Sequence, residues 1–154
     1  MLAEAVDLDA LCREEVERLS LLSPDLDVVL ASHDGPPMIV TADHAACREI
    51  LSNLGDNARR HARSTITLST RAGDHSAEVW MIDDGPGLGA AGEHAFSRFV
   101  SLDGRGGSGL GLPIGRALAE AMHGSLRYES GFVLALPVDT EQGNAPADVS
   151  TDYA

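Results

Sequence analysis

The sequence contains no lysine: all eleven of its basic residues are arginine, against twenty-four acidic residues, for a formal net charge of −13. A surface this acidic repels a phosphate backbone, which argues against general nucleic-acid binding. It still permits a small anionic ligand, because a local nest of backbone N–H groups can override the mean field. Cysteine is scarce too. Cys12 and Cys47 lie 35 residues apart with no CxxC spacing. Cys47 falls on an apolar stripe, so it reads as a buried free thiol and points to a reducing compartment. No apolar run approaches the ~18 residues of a membrane span, and the N-terminus lacks a basic-then-apolar signal pattern. The chain therefore reads as soluble and cytoplasmic, which says nothing against a membrane-anchored parent protein.

What is present is ordinary for a globular domain: 154 residues, 44% apolar, 23% charged and 4% aromatic. That length fits one domain with a substantial core. Residues 7–22 place leucines at helical spacing, with Asp7 or Asp9 as N-cap and Pro24 as terminator. DVVLA (27–31) and MIVTA (38–42) are short strand-like runs separated by a Gly-Pro-Pro turn. Asp43 caps a helix running to about Arg63, and segments 65–70 and 77–83 form a hairpin. A Gly-rich segment follows from Asp84 to Gly109, with one apolar island at 95–100. Residues 110–124 have helical periodicity ending at Gly124, and 125–130 with 132–138 make a second hairpin.

Residues 139–154 are polar and acidic and read as a disordered tail, leaving 1–138 as the ordered domain. There is no internal repeat. Hairpin pairs alternating with helices predict a two-layer α/β sandwich, a mixed β-sheet with three helices on one face. His44, His75, His94 and His123 show no metal spacing and read as surface or packing residues. Trp80, alternating with Met81 in a strand, reads as core.

Three segments carry chemistry. In EILSNLGDNARRHA (49–62), the apolar stripe is matched by an opposite stripe of Glu49, Asn53, Asn57 and Arg60 at helical spacing. Amide and carboxylate oxygens suit Mg²⁺, which keeps several waters and takes few protein ligands. Alone, the stripe reads more readily as a solvated face. IDDGPGLG (82–89) ends a strand in Asp83 and turns through glycines, which lets backbone approach a ligand whose exocyclic amine the carboxylate could accept. Alone, it reads more readily as a simple turn. GGSGLGL (106–112) runs into a helix, so freed N–H groups and the helix dipole together suit phosphate. Pro113 fits a first helical turn. No lysine follows, so this is not a Walker loop. Alone, it is equally a linker.

Taken in order, these segments resemble the ATP-binding catalytic domain of two-component sensor histidine kinases, in the group shared with Hsp90, gyrase and MutL. EILSNLGDNARRHA resembles the N box, IDDGPGLG the G1 box, FSRF (96–99) the F box and GGSGLGL the G2 box. LRYESG with FVLALPV resembles the closing hairpin. The resemblance covers about residues 7–138 and implies a Bergerat-type ATP-binding fold.

It also implies roles. Asn57 would coordinate Mg²⁺, with Asn53 and Glu49 completing the polar wall. Arg60 would face the phosphates, His61 the adenine, and Asp83 the adenine amine. Gly85, Gly87 and Leu88 would support the base pocket, and Phe96 would flank it. Gly107, Ser108, Gly109, Leu110 and Gly111 would hold the phosphate side. Arg98 would contact the γ-phosphate or the partner domain. Residues between Leu88 and Gly106 would form the ATP lid. The implied catalytic set is Glu49, Asn53, Arg60 and Arg98, and the implied cofactors are ATP and Mg²⁺.

The implied reaction is γ-phosphoryl transfer to a histidine on a separate dimerisation domain, and the onward partner is a response regulator. No nucleic acid or direct membrane contact is expected. SHDGPP (32–37) imitates the phosphoacceptor motif, but His33 lies only 20 residues before Asn53 and the following Gly and Pro residues oppose a helix. The chain is therefore expected to be monomeric and unable to autophosphorylate alone. The lid is short, Ser101 stands where many relatives carry Arg, and the closing hairpin is trimmed at Ser130-Gly131. The lid and Ser101 point to weaker nucleotide binding or faster exchange. Two other readings share the fold: an anti-sigma-factor-type serine/threonine kinase, and a nucleotide switch without phosphotransfer. The F box and the GGSGLGL spelling favour the histidine kinase.

Overall fold

The computed structural model describes residues 1–31, 33–87, 96 and 111–138. The elements are β1 (Glu4–Asp7), α1 (Leu8–Leu22), β2 (Asp27–Ala31), β3 (Ile39–Ala42), α2 (His44–His61), β4 (Thr65–Gly73), β5 (Ser76–Asp83), α3 (Gly111–Ala121), β6 (Ser125–Tyr128) and β7 (Phe132–Pro137). The main sheet has the order β2-β4-β5-β7-β6. β2 runs parallel to β4 and the other pairs are antiparallel, so the sheet is mixed as expected. All three helices pack on one face of the sheet, α1 over β2 and β4, α2 over β5, and α3 over β6 and β7.

Each helix start has a sequence cause. Asp7 accepts the Ala10 N–H at 3.0 Å and opens α1. Asp43 accepts the Ala46 N–H at 2.9 Å and opens α2. Between the helices and the sheet, Leu19, Ile50, Leu54, Leu68, Val79 and Leu134 are fully buried. Cys12 and Cys47 are buried and free, and burial pushes both thiols up to about 12. Glu15 is the charged exception on the buried stripe of α1. Arg18 offsets its burial with a contact of 2.8 Å, and reaches α2 at the Ser52 carbonyl and at Asp56, each 3.1 Å away.

Three expectations need correcting. β1 was not anticipated, because a four-residue strand leading straight into an N-cap looks like a helix approach. It pairs with β3 in a separate two-stranded ribbon, Val6 opposite Val40. β2 and β3 consequently do not pair with each other, despite adjacency in sequence. The ribbon takes β3, while β2 finds β4, its parallel partner, beyond α2. α3 stops at Ala121 rather than Gly124, and the left-handed position after it falls on His123, with φ 65°. Trp80 is buried as expected, but outside the helix-side cluster. It faces the opposite side of the sheet, where the Arg71 guanidinium lies 4.0 Å from the ring centroid.

The β2–β3 connection is held by a polar latch. Asp9, in the first turn of α1, accepts from the Met38 N–H at 2.7 Å and the Thr70 hydroxyl at 2.7 Å, and contacts His33 Nε2 at 3.0 Å. His33 Nδ1 faces the Asp34 carbonyl at 3.0 Å. His33 is therefore in an irregular connection and not on a helix, as its neighbours predicted. Both ring nitrogens face acceptors, so only the imidazolium satisfies both contacts. The Asp34 carbonyl first, then Asp9, raise the His33 pKa above 6.5. Burial pushes the Asp9 carboxyl up, but the bonds from Met38, Thr70 and His33 outweigh it and leave the pKa below 3.8.

The latch contribution is thus complete between these two reference values. It is lost as pH rises through the raised His33 pKa, and also as pH falls through the lowered Asp9 pKa. Wild type and His33→Gln should therefore differ in thermal midpoint at pH 6, and the difference should shrink as pH rises. A difference that stayed constant with pH would refute the charged latch.

No helix among the described residues is long and apolar enough to cross a membrane.

Candidate functional site

Because side chains alternate along a strand, the pair Asp83-Asp84 at the end of β5 must point in opposite directions. Asp84 turns outward and gathers the Arg63, Ser64 and Thr65 N–H groups at 2.8, 2.9 and 3.1 Å, together with the Ser64 hydroxyl. The Ser64 hydroxyl first, and then these N–H groups, hold its carboxyl well below the usual carboxylate range. Asp84 thereby ties the end of α2 to the end of β5. The sequence reading gave it no role, although two consecutive acids closing a strand were the available signal.

Asp83 turns inward. Its Oδ1 accepts the Gly85 N–H at 2.8 Å, which fixes the carboxylate and leaves the other oxygen for a ligand. Gly85 cannot carry a side chain, since a Cβ there would lie 2.1 Å from the His61 carbonyl oxygen. The turn after β5 is thus pressed onto the last turn of α2. Gly87 holds a φ of 79°, in the region that favours glycine.

These contacts enclose a cavity of about 90 Å³. Asn57, His61, Asp83, Gly85, Pro86 and Gly87 line one side of it, and Tyr128, Ser130, Gly131 and Phe132 the other. The first group contains five of the residues expected from the sequence. The second comes from the closing hairpin, whose resemblance and trimming at Ser130-Gly131 were noted but from which no site residue was named; its residues reach the cavity through the β5–β7 pairing. His61 Nδ1 lies 2.9 Å from the Asn57 carbonyl, which orients the imidazole. Asn57 is 6% exposed and lines the cavity. It fits the single-ligand hold that Mg²⁺ accepts. No cluster of three or more His, Cys, Asp or Glu residues suited to a metal exists among the described residues.

The rest of the expected site lies differently. Asn53 Nδ2 donates to the Gly111 carbonyl at 3.0 Å, so this amide joins α2 to the first residue of α3. Glu49 and Arg60 are exposed on α2 and do not line the cavity. Phe96 is 6% exposed and stands one layer behind the cavity, edge-on to Phe132 at 5.7 Å, with the Arg116 guanidinium 4.3 Å from its ring centroid. Leu88, Arg98, Gly107, Ser108, Gly109 and Leu110 fall outside the described residues, as do the rest of the expected lid and the 139–154 tail.

A larger cavity of about 390 Å³ lies between α1 and α2. Its cations are already paired, Arg18 with Glu15 and Asp56, and Arg48 with Glu14 at 3.0 Å. It offers no unpaired cation to a phosphate.

Comparison with known proteins agrees with this geometry. Residues 42–143 match the family described as histidine kinase-, DNA gyrase B-, and HSP90-like ATPase. Over 135 residues the chain is 33% identical to the sensor protein RstB of Escherichia coli, covering 73% of this chain and 31% of RstB. The chain spans about a third of the length of the curated relatives it matches. The catalytic domain of histidine kinase ThkA superimposes with a TM-score of 0.79 at 23% identity, over 92% of this chain and 99% of that one. Full-length ShkA in complex with AMPPNP gives a TM-score of 0.78 at 28% identity, over 89% of this chain and 31% of that one. The chain belongs to the histidine kinase-, DNA gyrase B- and HSP90-like ATPases, and the fold that carries its cavity is that of a histidine kinase catalytic domain.

Proposed function

We propose that this domain binds Mg²⁺-ATP in the cavity at the end of β5 and transfers the γ-phosphoryl group to a histidine on a separate dimerisation domain. One observation carries the reading. Asp83, oriented by the Gly85 N–H, shares a cavity with the buried Asn57, so a base reader and a metal ligand face one space. ShkA, similar in fold and sequence, was solved with AMPPNP, and RstB is a sensor protein.

In this reading Asp83 accepts the exocyclic amine of adenine, and His61 borders the base. Asn57 would hold Mg²⁺, which when bound neutralises phosphate charge. Asn53 fixes the start of α3, where the phosphate-side glycines lead in. Arg60 and Glu49 stand on the exposed face of α2, where an acceptor domain could reach them, and Arg98 would join them from the lid side. The imidazole nitrogen of the acceptor forms a bond to the γ-phosphorus as the β–γ bridging oxygen departs with the electron pair on ADP. Such chemistry is mostly positioning and charge neutralisation. The phosphoryl group then passes to a response regulator. A protein using ATP in this way works in the cytoplasm, in keeping with two unpaired buried thiols.

Two experiments test the proposal. With γ-labelled ATP and a separately prepared histidine-bearing helical hairpin from the parent or partner kinase, the label should appear on histidine, acid-labile and alkali-stable. Label on a serine of an anti-anti-sigma-type partner would support the serine/threonine kinase instead. Asn57→Ala should reduce the Mg²⁺-dependent part of ATP affinity by roughly tenfold or more, in line with loss of a contact to a charged group. A variant as responsive to Mg²⁺ as wild type would remove Asn57 from the metal site.

A further inference from the structure

The α2 side of the cavity is polar, with Asn57, His61 and Asp83, and satisfies the edge of a base but not its faces. A flat heteroaromatic ring also needs a flat apolar or aromatic wall, and base–aromatic stacking is a recurrent source of affinity. Tyr128 is placed to supply one. It has the same strand parity as Leu126, which is 1% exposed in the core, so its ring faces the helix layer and not the open face of the sheet.

The hairpin that carries Tyr128 has no slack. Its connection is 129–131, closed by the Glu129 N–H donating to the Gly131 carbonyl at 2.8 Å. A Cβ on Gly131 would lie 2.7 Å from both the Met81 carbonyl oxygen and Ile82 Cγ1, so the connection is pressed against β5 just before Asp83. The Tyr128 hydroxyl reaches the far wall, 3.5 Å from where a Cβ on Gly87 would sit. Phe132 packs edge-on behind Tyr128, with centroids 5.2 Å apart at 69°, and Phe96 braces Phe132 in turn. The ring is therefore held in position by its neighbours before any ligand arrives.

We infer that Tyr128 forms the aromatic wall for the nucleotide base and sets the chain's preference for a purine triphosphate over a bare polyphosphate. The inference rests on the nucleotide reading of the cavity above. It also gives the trimmed hairpin a consequence: the short connection brings an aromatic residue of β6 to the base.

The test uses the 154-residue chain with Mg²⁺-ATP, measured by calorimetry on wild type, Tyr128→Phe and Tyr128→Val. Tyr128→Phe should stay within about twofold of wild type, and Tyr128→Val should bind about tenfold more weakly, a loss within the range of one base–aromatic contact. A second measurement needs no variant. Photolabelling of wild type with 8-azido-ATP should place adduct on the 125–137 hairpin at Tyr128. Unchanged affinity in Tyr128→Val, equal losses in Tyr128→Phe and Tyr128→Val, or adducts that exclude this hairpin would overturn the inference while leaving the nucleotide site standing. Wild type that failed to bind ATP at all would overturn the nucleotide reading and this inference together.

Discussion

Asp83→Asn should weaken ATP binding about ten- to a hundredfold while leaving the fold intact. The size follows from a hydrogen bond to a charged group, worth about 1.5–3 kcal/mol. The direction follows from local geometry. Oδ1 of Asp83 already accepts the Gly85 N–H at 2.8 Å. In the asparagine variant the carbonyl oxygen must keep that contact, because an amide NH₂ would set donor against donor. The NH₂ is then forced to face the cavity, where it opposes the donor amine of adenine. The substitution therefore replaces an attraction by a repulsion, and no rotation of the amide escapes both conflicts. Calorimetric titration with Mg²⁺-ATP, alongside a thermal melt of the unliganded protein, separates binding from folding. Unchanged affinity would show that Asp83 does not read the base.

Gly85→Ala should damage both stability and binding. The added methyl would meet the His61 carbonyl oxygen at 2.1 Å and Asp83 Oδ1 at 2.8 Å. The first of these is backbone at the end of α2 and cannot rotate away. Relief requires the turn to move off α2, which carries Asp83 with it. Overpacking of this kind costs about 1–3 kcal/mol. That corresponds to a lowering of Tm by roughly 3–10 °C in a domain of this size. ATP binding should fall at least as far as in Asp83→Asn. Gly111→Ala is the matching control for stability, because its Cβ would make only ordinary contact with Asn53 at 3.5 Å. A Gly85→Ala protein with wild-type Tm and affinity would mean that the turn does not depend on this close approach.

Much of the layout was legible because its causes are local. Asp7 and Asp43 announce their helices through capping, and the apolar stripe of α2 appears in the core as expected. The hairpin from β4 to β5 was legible by alternation, although it runs further at both strands, around Asp74 and His75. What failed depends on distance along the chain. Nothing near DVVLA reveals that its partner is β4 on the far side of α2, nor that MIVTA pairs with residues ahead of α1.

The site divides in the same way. Asp83 and Asn57 could be proposed from motif order, since each is identified by its own segment. Asn53 could be placed beside them, but its bond to Gly111 is a contact over 58 residues and left no local trace. Tyr128 is invisible as a site residue until β6, β7 and β5 are placed side by side. Trp80 was legible as buried, but alternation tells which residues share a face, not which face the helices cover.

The central claim is that the cavity between the end of α2, the turn after β5 and the closing hairpin is the ATP site. Amide chemical shifts recorded during titration with Mg²⁺-ATP test this most directly. The account predicts the largest perturbations at Asn57, His61, Asp83, Gly85 and Gly87, with smaller ones at Tyr128 and Phe132 and none at Glu14 or Arg18. Perturbations confined to the cavity between α1 and α2, or absent altogether at saturating nucleotide, would contradict it.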